Sequence, residues 1–334
     1  MKKNVKYEEI NDDIPEIPDI ESDIYDAAAK GELIIFIGAG VSKIIGCPLW
    51  QEFAKLMLKD LYEKRCINYY EYKNLEVFKD SRKLLSICKK IYEEKNIEPN
   101  FKSIFQGNVD KKRGYGKIYE DLYRFNAIYV TTNYDIFLDQ VLNNLLNSSN
   151  LTKNKKSSIN LNNVEDYSNI KIINKKNELL TSNLNYKNII HLHGSIENPG
   201  TMIISIADYL WHYEIDSETS FLLEEIFQNF TVLFVGYGLD EYEVMEFLLS
   251  RAKHAKKEIK HFMLYPMFNN EKNLLKFQEK YYADLSVRLI PFQIDKRGHD
   301  QLALVIKQWA KQIGPKSKPK NYLERRKLID EEVQ

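Results

Sequence analysis

Leu33-Ile34-Ile35-Phe36-Ile37, running into Gly38-Ala39-Gly40-Val41-Ser42, is the stretch on which the fold turns. Five consecutive apolar residues leave no polar face, whereas a strand with one side in water would alternate. Such a run reads as a strand covered on both sides, as in a parallel sheet flanked by helices. The same pattern recurs three times. Ala127-Ile128-Tyr129-Val130 runs into Thr131-Thr132-Asn133-Tyr134-Asp135, Asn188-Ile189-Ile190-His191-Leu192 into His193-Gly194-Ser195, and Thr231-Val232-Leu233-Phe234-Val235 into Gly236-Tyr237-Gly238-Leu239. The expected fold is therefore α/β: a Rossmann-like, mostly parallel sheet flanked by helices. Its unusual residues sit at the carboxyl ends of strands, where open α/β sheets bind ligands.

Composition narrows the function. The 334 residues suffice for a sizeable core. The 48 basic and 48 acidic residues cancel, so neither nucleic acid nor an anionic membrane is the expected partner. No apolar run approaches the ~18 residues of a membrane span. Met1-Lys2-Lys3-Asn4 leads into acidic and polar residues rather than a signal core, so a cytoplasmic location is expected. Cys47, Cys66 and Cys88 are odd in number and lie in the first third. They build neither a disulfide framework nor a four-cysteine zinc site, and no metal is expected.

Three regions are expected along the chain. Residues 1–30 carry nine acidic and four basic residues with Pro15 and Pro18, and read as a flexible acidic arm entering a helix near Ile20. Residues 31–313 form the ligand-binding domain. Within it, Pro48-Leu49-Trp50 opens a helix, and residues 70–94 and 117–125 supply a helical layer. Residues 147–187, rich in Asn, Lys and Ser, read as an insertion or mobile loop with one weak hairpin. Helices are expected over 217–229, 240–253 and 299–313, and strands over 261–265 and 287–290. Residues 314–334, with six basic and four acidic residues, form a charged tail or linker.

Gly38 and Gly40 lie between a strand and a helix, where missing side chains let backbone approach a pyrophosphate and helix-end N–H groups face its oxygens. Ser42 would add a hydroxyl donor. The hydride-transfer fingerprint fails, because its third glycine position is Lys43 and no acidic residue ends a second strand ~20 residues on. An ordinary dehydrogenase is thereby disfavoured.

With the four clusters in this order, the chain resembles the sirtuin family of NAD-consuming enzymes, and among them the prokaryotic sirtuin-like domains of antiphage defence proteins. The resemblance extends from about Gly31 to Leu264. It implies that Gly38, Ala39, Gly40 and Ser42 belong to the NAD phosphate loop. Thr132-Asn133-Tyr134-Asp135 stands where the family has Gln-Asn-Ile-Asp, with Asn133 beside the nicotinamide ribose. His193 matches the catalytic histidine, and Gly236, Tyr237 and Gly238 match the segment lining the adenosine end. Two departures matter. No cysteine follows Cys88, so the zinc module of protein-deacylating sirtuins has no counterpart. Gly46-Cys47-Pro48-Leu49-Trp50 replaces the family's Pro-Asp-Phe-Arg stretch.

The resemblance implies NAD as substrate and disfavours lysine deacylation. The expected activity is that of an NAD glycohydrolase releasing nicotinamide and ADP-ribose, or its cyclic form. Asn133 offers a donor and an acceptor to a ribose hydroxyl or a water, and His193 accepts a proton. Asp135, although at a cofactor-lining position in the family, is expected to turn away and cap the next helix. His191, two residues earlier, would point the same way as His193 in an ideal strand, which makes it a candidate partner for that ring. Tyr209, Trp211 and His212 are expected to pack in the core, with a lid over the nicotinamide as the alternative, and Asp240 and Glu241 to cap a helix, with contact to the adenine ribose as the alternative. Because free NAD hydrolysis is toxic, control by homo-oligomerisation or by a regulatory or phage-derived protein is expected. The competing reading is a non-catalytic NAD or ADP-ribose sensor.

Overall fold

The computed structural model describes residues 13–106, 117–154, 169–215, 217–239, 244–249 and 261–313. Seven strands form one sheet: β1 (Leu33–Ile37), β2 (Ile128–Thr131), β3 (Ile172–Ile173), β4 (Ile189–His191), β5 (Thr231–Val235), β6 (His261–Met267) and β7 (Val287–Gln293). Their order is β3-β4-β2-β1-β5-β6-β7, and every neighbouring pair is parallel.

The apolar run of β1 explains the layering. Leu33, Ile35 and Ile37 enter one core, which α1 (Ser22–Lys30) and the closing helix Gln301–Gln312 cover with Ile24, Val305 and Trp309. Ile34 and Phe36 enter the opposite core with Leu222, Ile226 and Phe227 from α10 (Ser217–Asn229). All five β1 residues are fully buried, and burying each large side chain stabilises the fold by about 1.5–3 kcal/mol. A third apolar cluster joins α3 (Trp50–Glu63), α5 (Ser81–Lys95) and α6 (Phe101–Gln106) to Tyr134 and Ile196. It forms a helical layer over the carboxyl ends of β2 and β4.

From β1 the chain builds outward through β2 to β3 and β4, then crosses back to β5 on β1's other side. This reversal puts a topological switch point between β1 and β5, the usual ligand crevice of such sheets.

Several segments depart from expectation. Residues 13–18 are fastened rather than loose. The Pro15 carbonyl accepts from Gln293 N at 2.8 Å and the Pro18 carbonyl from Trp309 Nε1 at 2.8 Å, because the edge strand and closing helix both present donors there. Residues 1–12 and the expected tail at 314–334 lie outside the described residues.

The 147–187 stretch holds no hairpin in its described part. Helix α8 (Phe137–Asn154) runs into it, and Ile172–Ile173 pairs parallel to β4, a connection that a tight turn cannot make. Lys187, at its end, is buried, with Nζ donating to the Tyr123 and Phe125 carbonyls. The expected helix over 70–94 breaks at Val77–Lys79, giving α4 (Tyr69–Glu76) and α5, because the Asp80 carboxylate caps a new start by accepting from Lys83 N at 3.0 Å. A helix at Lys272–Ala283 was not foreseen. Among the described residues, no helix is long and apolar enough to cross a membrane.

Candidate active site

At the switch point two glycine loops lock against each other. Gly40 N donates to the Gly236 carbonyl at 2.8 Å, and Gly38 N to the Val235 carbonyl at 3.0 Å. A Cβ on Gly38 would lie 2.5 Å from Gly236 O, and one on Gly40 2.8 Å from the same atom. Gly236 itself has φ +59° and faces Val41 N. These glycines are required by contact between backbones, where the sequence had suggested approach to a pyrophosphate. The Gly40 N–H, expected to face a phosphate, is already used.

Beneath the loops lies a buried polar network centred on Ser42. Ser42, from α2 (Ala39–Ile44), donates to Asp135 Oδ2 at 2.5 Å, and its Oγ lies 2.9 Å from the Tyr119 hydroxyl. Asn133 Nδ2 donates to Ser42 Oγ at 2.8 Å and to the Gly38 carbonyl at 3.0 Å. A hydroxyl has one proton. Ser42 gives it to Asp135, and the Tyr119 hydroxyl, also 3.3 Å from Asp135 Oδ2, donates to one or other of the two, so no Ser42 proton remains for a phosphate. Ser42, expected as a ligand donor, lines the cavity with its proton directed to Asp135. The carbonyl of Gly38 can only accept, which fixes the orientation of the Asn133 amide. Both amide hydrogens are committed, so Asn133 offers a ligand its Oδ1.

Asp135 is buried, with Oδ1 accepting from Phe137 N at 3.3 Å at the start of α8. Burial raises its pKa, against the Ser42 hydrogen bond that lowers it. Tyr119, from α7 (Ile118–Leu122), is held neutral by burial and by the charge of Asp135. Thr131 Oγ1 completes the frame, donating to the Ile37 carbonyl at 2.9 Å and accepting from Asn133 N at 3.0 Å.

The two histidines diverge. β4 ends at His191 and a turn with Gly194 at φ +70° follows, so strand alternation no longer relates His191 to His193. His191 reaches α8, with Nε2 2.9 Å from Asp139 Oδ1 and Nδ1 3.2 Å from the Asn133 carbonyl. His193 enters an aromatic cage on the other side, its Nε2 2.6 Å from the Tyr213 hydroxyl and its ring edge-on to Tyr209 at 5.1 Å. Burial, then His212 and Arg82, push its pKa well below the usual imidazole value. His193 is therefore neutral and a poor base in this conformation. Tyr209 and His212 are buried, whereas Trp211 is exposed on a π-helical turn, Trp211–Ile215.

A cavity of about 390 Å³ opens at this crevice, within the range of small-molecule sites. Of the expected site residues, all but Gly38 and His193 line it. Tyr134 stands in the wall with its ring 6.4 Å from that of His193. Asp240 and Glu241 lie outside the described residues. Sequence reasoning missed the far end, where Trp50, Phe53 and Phe105 join Tyr134. The apolar spacing of α3 identifies Phe53 as buried but does not tell core from cavity wall. Cys47 also lines the cavity, but burial, with the charge of Asp135, pushes its thiol far up, so it is no nucleophile. Among the described residues, no group of three or more His, Cys, Asp or Glu is arranged to hold a metal ion.

Residues 127–290 match a SIR2-like domain, from just before β2 to within β7. The glycine loop after β1 precedes that match. The chain is 24% identical over 243 residues to Defense-associated sirtuin 2 of Bacillus subtilis, covering 72% of this chain and 21% of that protein. It thus spans about a fifth of the relative's length. Motif order, parallel sheet and both similarities agree on a likeness to the SIR2-like domain and to a defence-associated sirtuin.

Proposed function

We propose that the chain is an NAD glycohydrolase acting in cytoplasmic antiphage defence. The carrying observation is Asn133, whose amide is fixed by Gly38 and Ser42 so that it offers an acceptor, Oδ1, at the cavity wall. In the reaction, water adds to the ribose C1′, the bond to the pyridinium nitrogen breaks, and neutral nicotinamide leaves with that electron pair. The products are ADP-ribose, nicotinamide and one proton. No acid is needed for so good a leaving group, and the charge that develops resembles that of glycoside cleavage. An acceptor aimed at a ribose hydroxyl or the water suits that charge without introducing a full negative charge.

The rest of the wall fits the substrate. The glycine loops border the crevice, and the aromatic end made by Trp50, Phe53, Phe105 and Tyr134 suits a flat pyridinium ring. His193 is the expected proton acceptor, and its enclosure by Tyr213 and Tyr209 supports a resting state that an activating partner or assembly must open. The same enclosure favours the second reading, a sensor that binds NAD without turning it over.

Incubation with NAD and identification of products separates the two. Nicotinamide and ADP-ribose, linear or cyclic, formed without any acylated peptide, are expected when an activator is present. Tight binding with no nicotinamide released under any activating condition overturns the hydrolase in favour of the sensor.

A further inference from the structure

His191 and Asp139 are not used by the mechanism above, yet both are buried, at 2% and 5% exposure. His191 closes β4, Asp139 lies in the first turn of α8, and Asn133 sits between these elements. Two contacts define the pair. His191 Nδ1 lies 3.2 Å from the Asn133 carbonyl oxygen, and Nε2 lies 2.9 Å from Asp139 Oδ1. A backbone carbonyl only accepts, so Nδ1 must carry a proton. An ionised carboxylate also only accepts, so with Asp139 ionised Nε2 carries one as well. A ring that donates at both nitrogens is an imidazolium.

We infer that His191 and Asp139 form a buried imidazolium–carboxylate pair that positions Asn133, His191 gripping its main-chain carbonyl while Ser42 and Gly38 grip its side chain. The inference rests on the glycohydrolase reading for its kinetic consequence; the charge state of the ring rests, independently of that reading, on the two contacts with Asp139 ionised.

The surroundings agree. Burial pulls the His191 pKa down, but the charge and hydrogen bond of Asp139, the Asn133 carbonyl and the charge of Asp135 together raise it above the usual value. The charged groups facing the ring are Asp139 on α8 and Asp135 in the loop before it. Loss of the second proton would leave an imidazole lone pair against the Asp139 carboxylate, and the clamp would loosen as pH rises. His191 is a positioning residue, since it touches Asn133 and not the cavity. A misplacement of about 1 Å at a reacting group costs on the order of 10²-fold, so the effect should fall on kcat more than on KM.

The test uses the full chain with 15N-labelled histidine, the His191 resonances being assigned by loss in His191→Gln. Two protonated ring nitrogens on His191 are expected at pH 7. In Asp139→Asn the second proton should leave at lower pH. A neutral His191 ring at pH 7, or an unchanged titration in Asp139→Asn, overturns the pair without reference to any activity. Under activating conditions, Asp139→Asn should lower kcat about 10- to 100-fold with KM changed less than about threefold. It should also move the alkaline limb of the kcat profile to lower pH. His191→Gln, which keeps one donor for Asn133, should retain more turnover than His191→Ala. Equal losses in those two variants, or a kcat profile for Asp139→Asn that overlays the parent, would remove the positioning role. If the parent releases no nicotinamide at all, the hydrolase reading fails, while the ring titration still decides the pair.

Discussion

At the scale of single residues, Asn133 shows how shared protons set chemistry. From the sequence its amide offered a donor and an acceptor alike. In the fold, both N–H bonds go to Gly38 and Ser42, which leaves an acceptor. Asn133→Asp keeps the shape and an acceptor but turns a carboxylate oxygen toward the Gly38 carbonyl. It should therefore fail as badly as Asn133→Ala, with turnover in the activated protein reduced roughly 10²-fold or more and nucleotide affinity, measured by calorimetry, largely kept. Turnover in Asn133→Asp within about tenfold of the parent would mean that the amide faces the other way. The positions of Asn133, Ser42 and Asp135 were legible because they follow strand ends. Tyr119 was not, because it comes from a five-residue helix remote in sequence, and only tertiary packing brings its hydroxyl beside Ser42.

At the scale of elements, the site depends on two loops docked through bare backbone. Gly40→Ala would press a methyl group toward Gly236 O at 2.8 Å and Gly236 Cα at 3.0 Å, where neither neighbour is a flexible side-chain end. A loss of about 1–3 kcal/mol is expected from such crowding, read as a lower melting temperature with or without nucleotide. Gly200→Ala meets nothing within 4 Å and serves as the neutral control. Equal melting of the two variants would show that the loops part freely. The strands themselves were readable, since parallel strands covered on both faces are apolar along their length, as β1 is and as β5 is from Val232 on. The two-residue β3 was hidden because so short a strand has no pattern, and its place is set by pairing with Ile189 and Ile190. Residues 13–18 misled for a related reason: their acidic, proline-marked composition suggests a free arm, but their carbonyls are claimed by Gln293 and Trp309 from the far end of the chain.

At the scale of the whole molecule, buried histidines of opposite tendency link stability to pH. His193 and His212 both have lowered pKa values, chiefly through burial, His212 reaching about 4. A group whose folded pKa is depressed contributes stability that is present above its unfolded value, ~6.5 for histidine, and is lost as pH falls through the folded value. Protonating either residue requires a charge inside the aromatic cage around His193. His191 and Asp135, with raised values, act in the opposite sense. Their contributions are present at low pH and lost as pH rises, for His191 above ~6.5. Between pH 6.5 and 4 two caged histidines act against Asp135 alone, and His212, lowered to about 4, titrates across the whole window. Chemical denaturation should therefore show stability falling as pH drops from 7 to 4. His193→Gln and His212→Gln should each flatten that slope, whatever they do at pH 7. A parent slope left intact in both variants would mean that the cage admits water and charge already, and the closed resting state assigned to His193 would have to be abandoned.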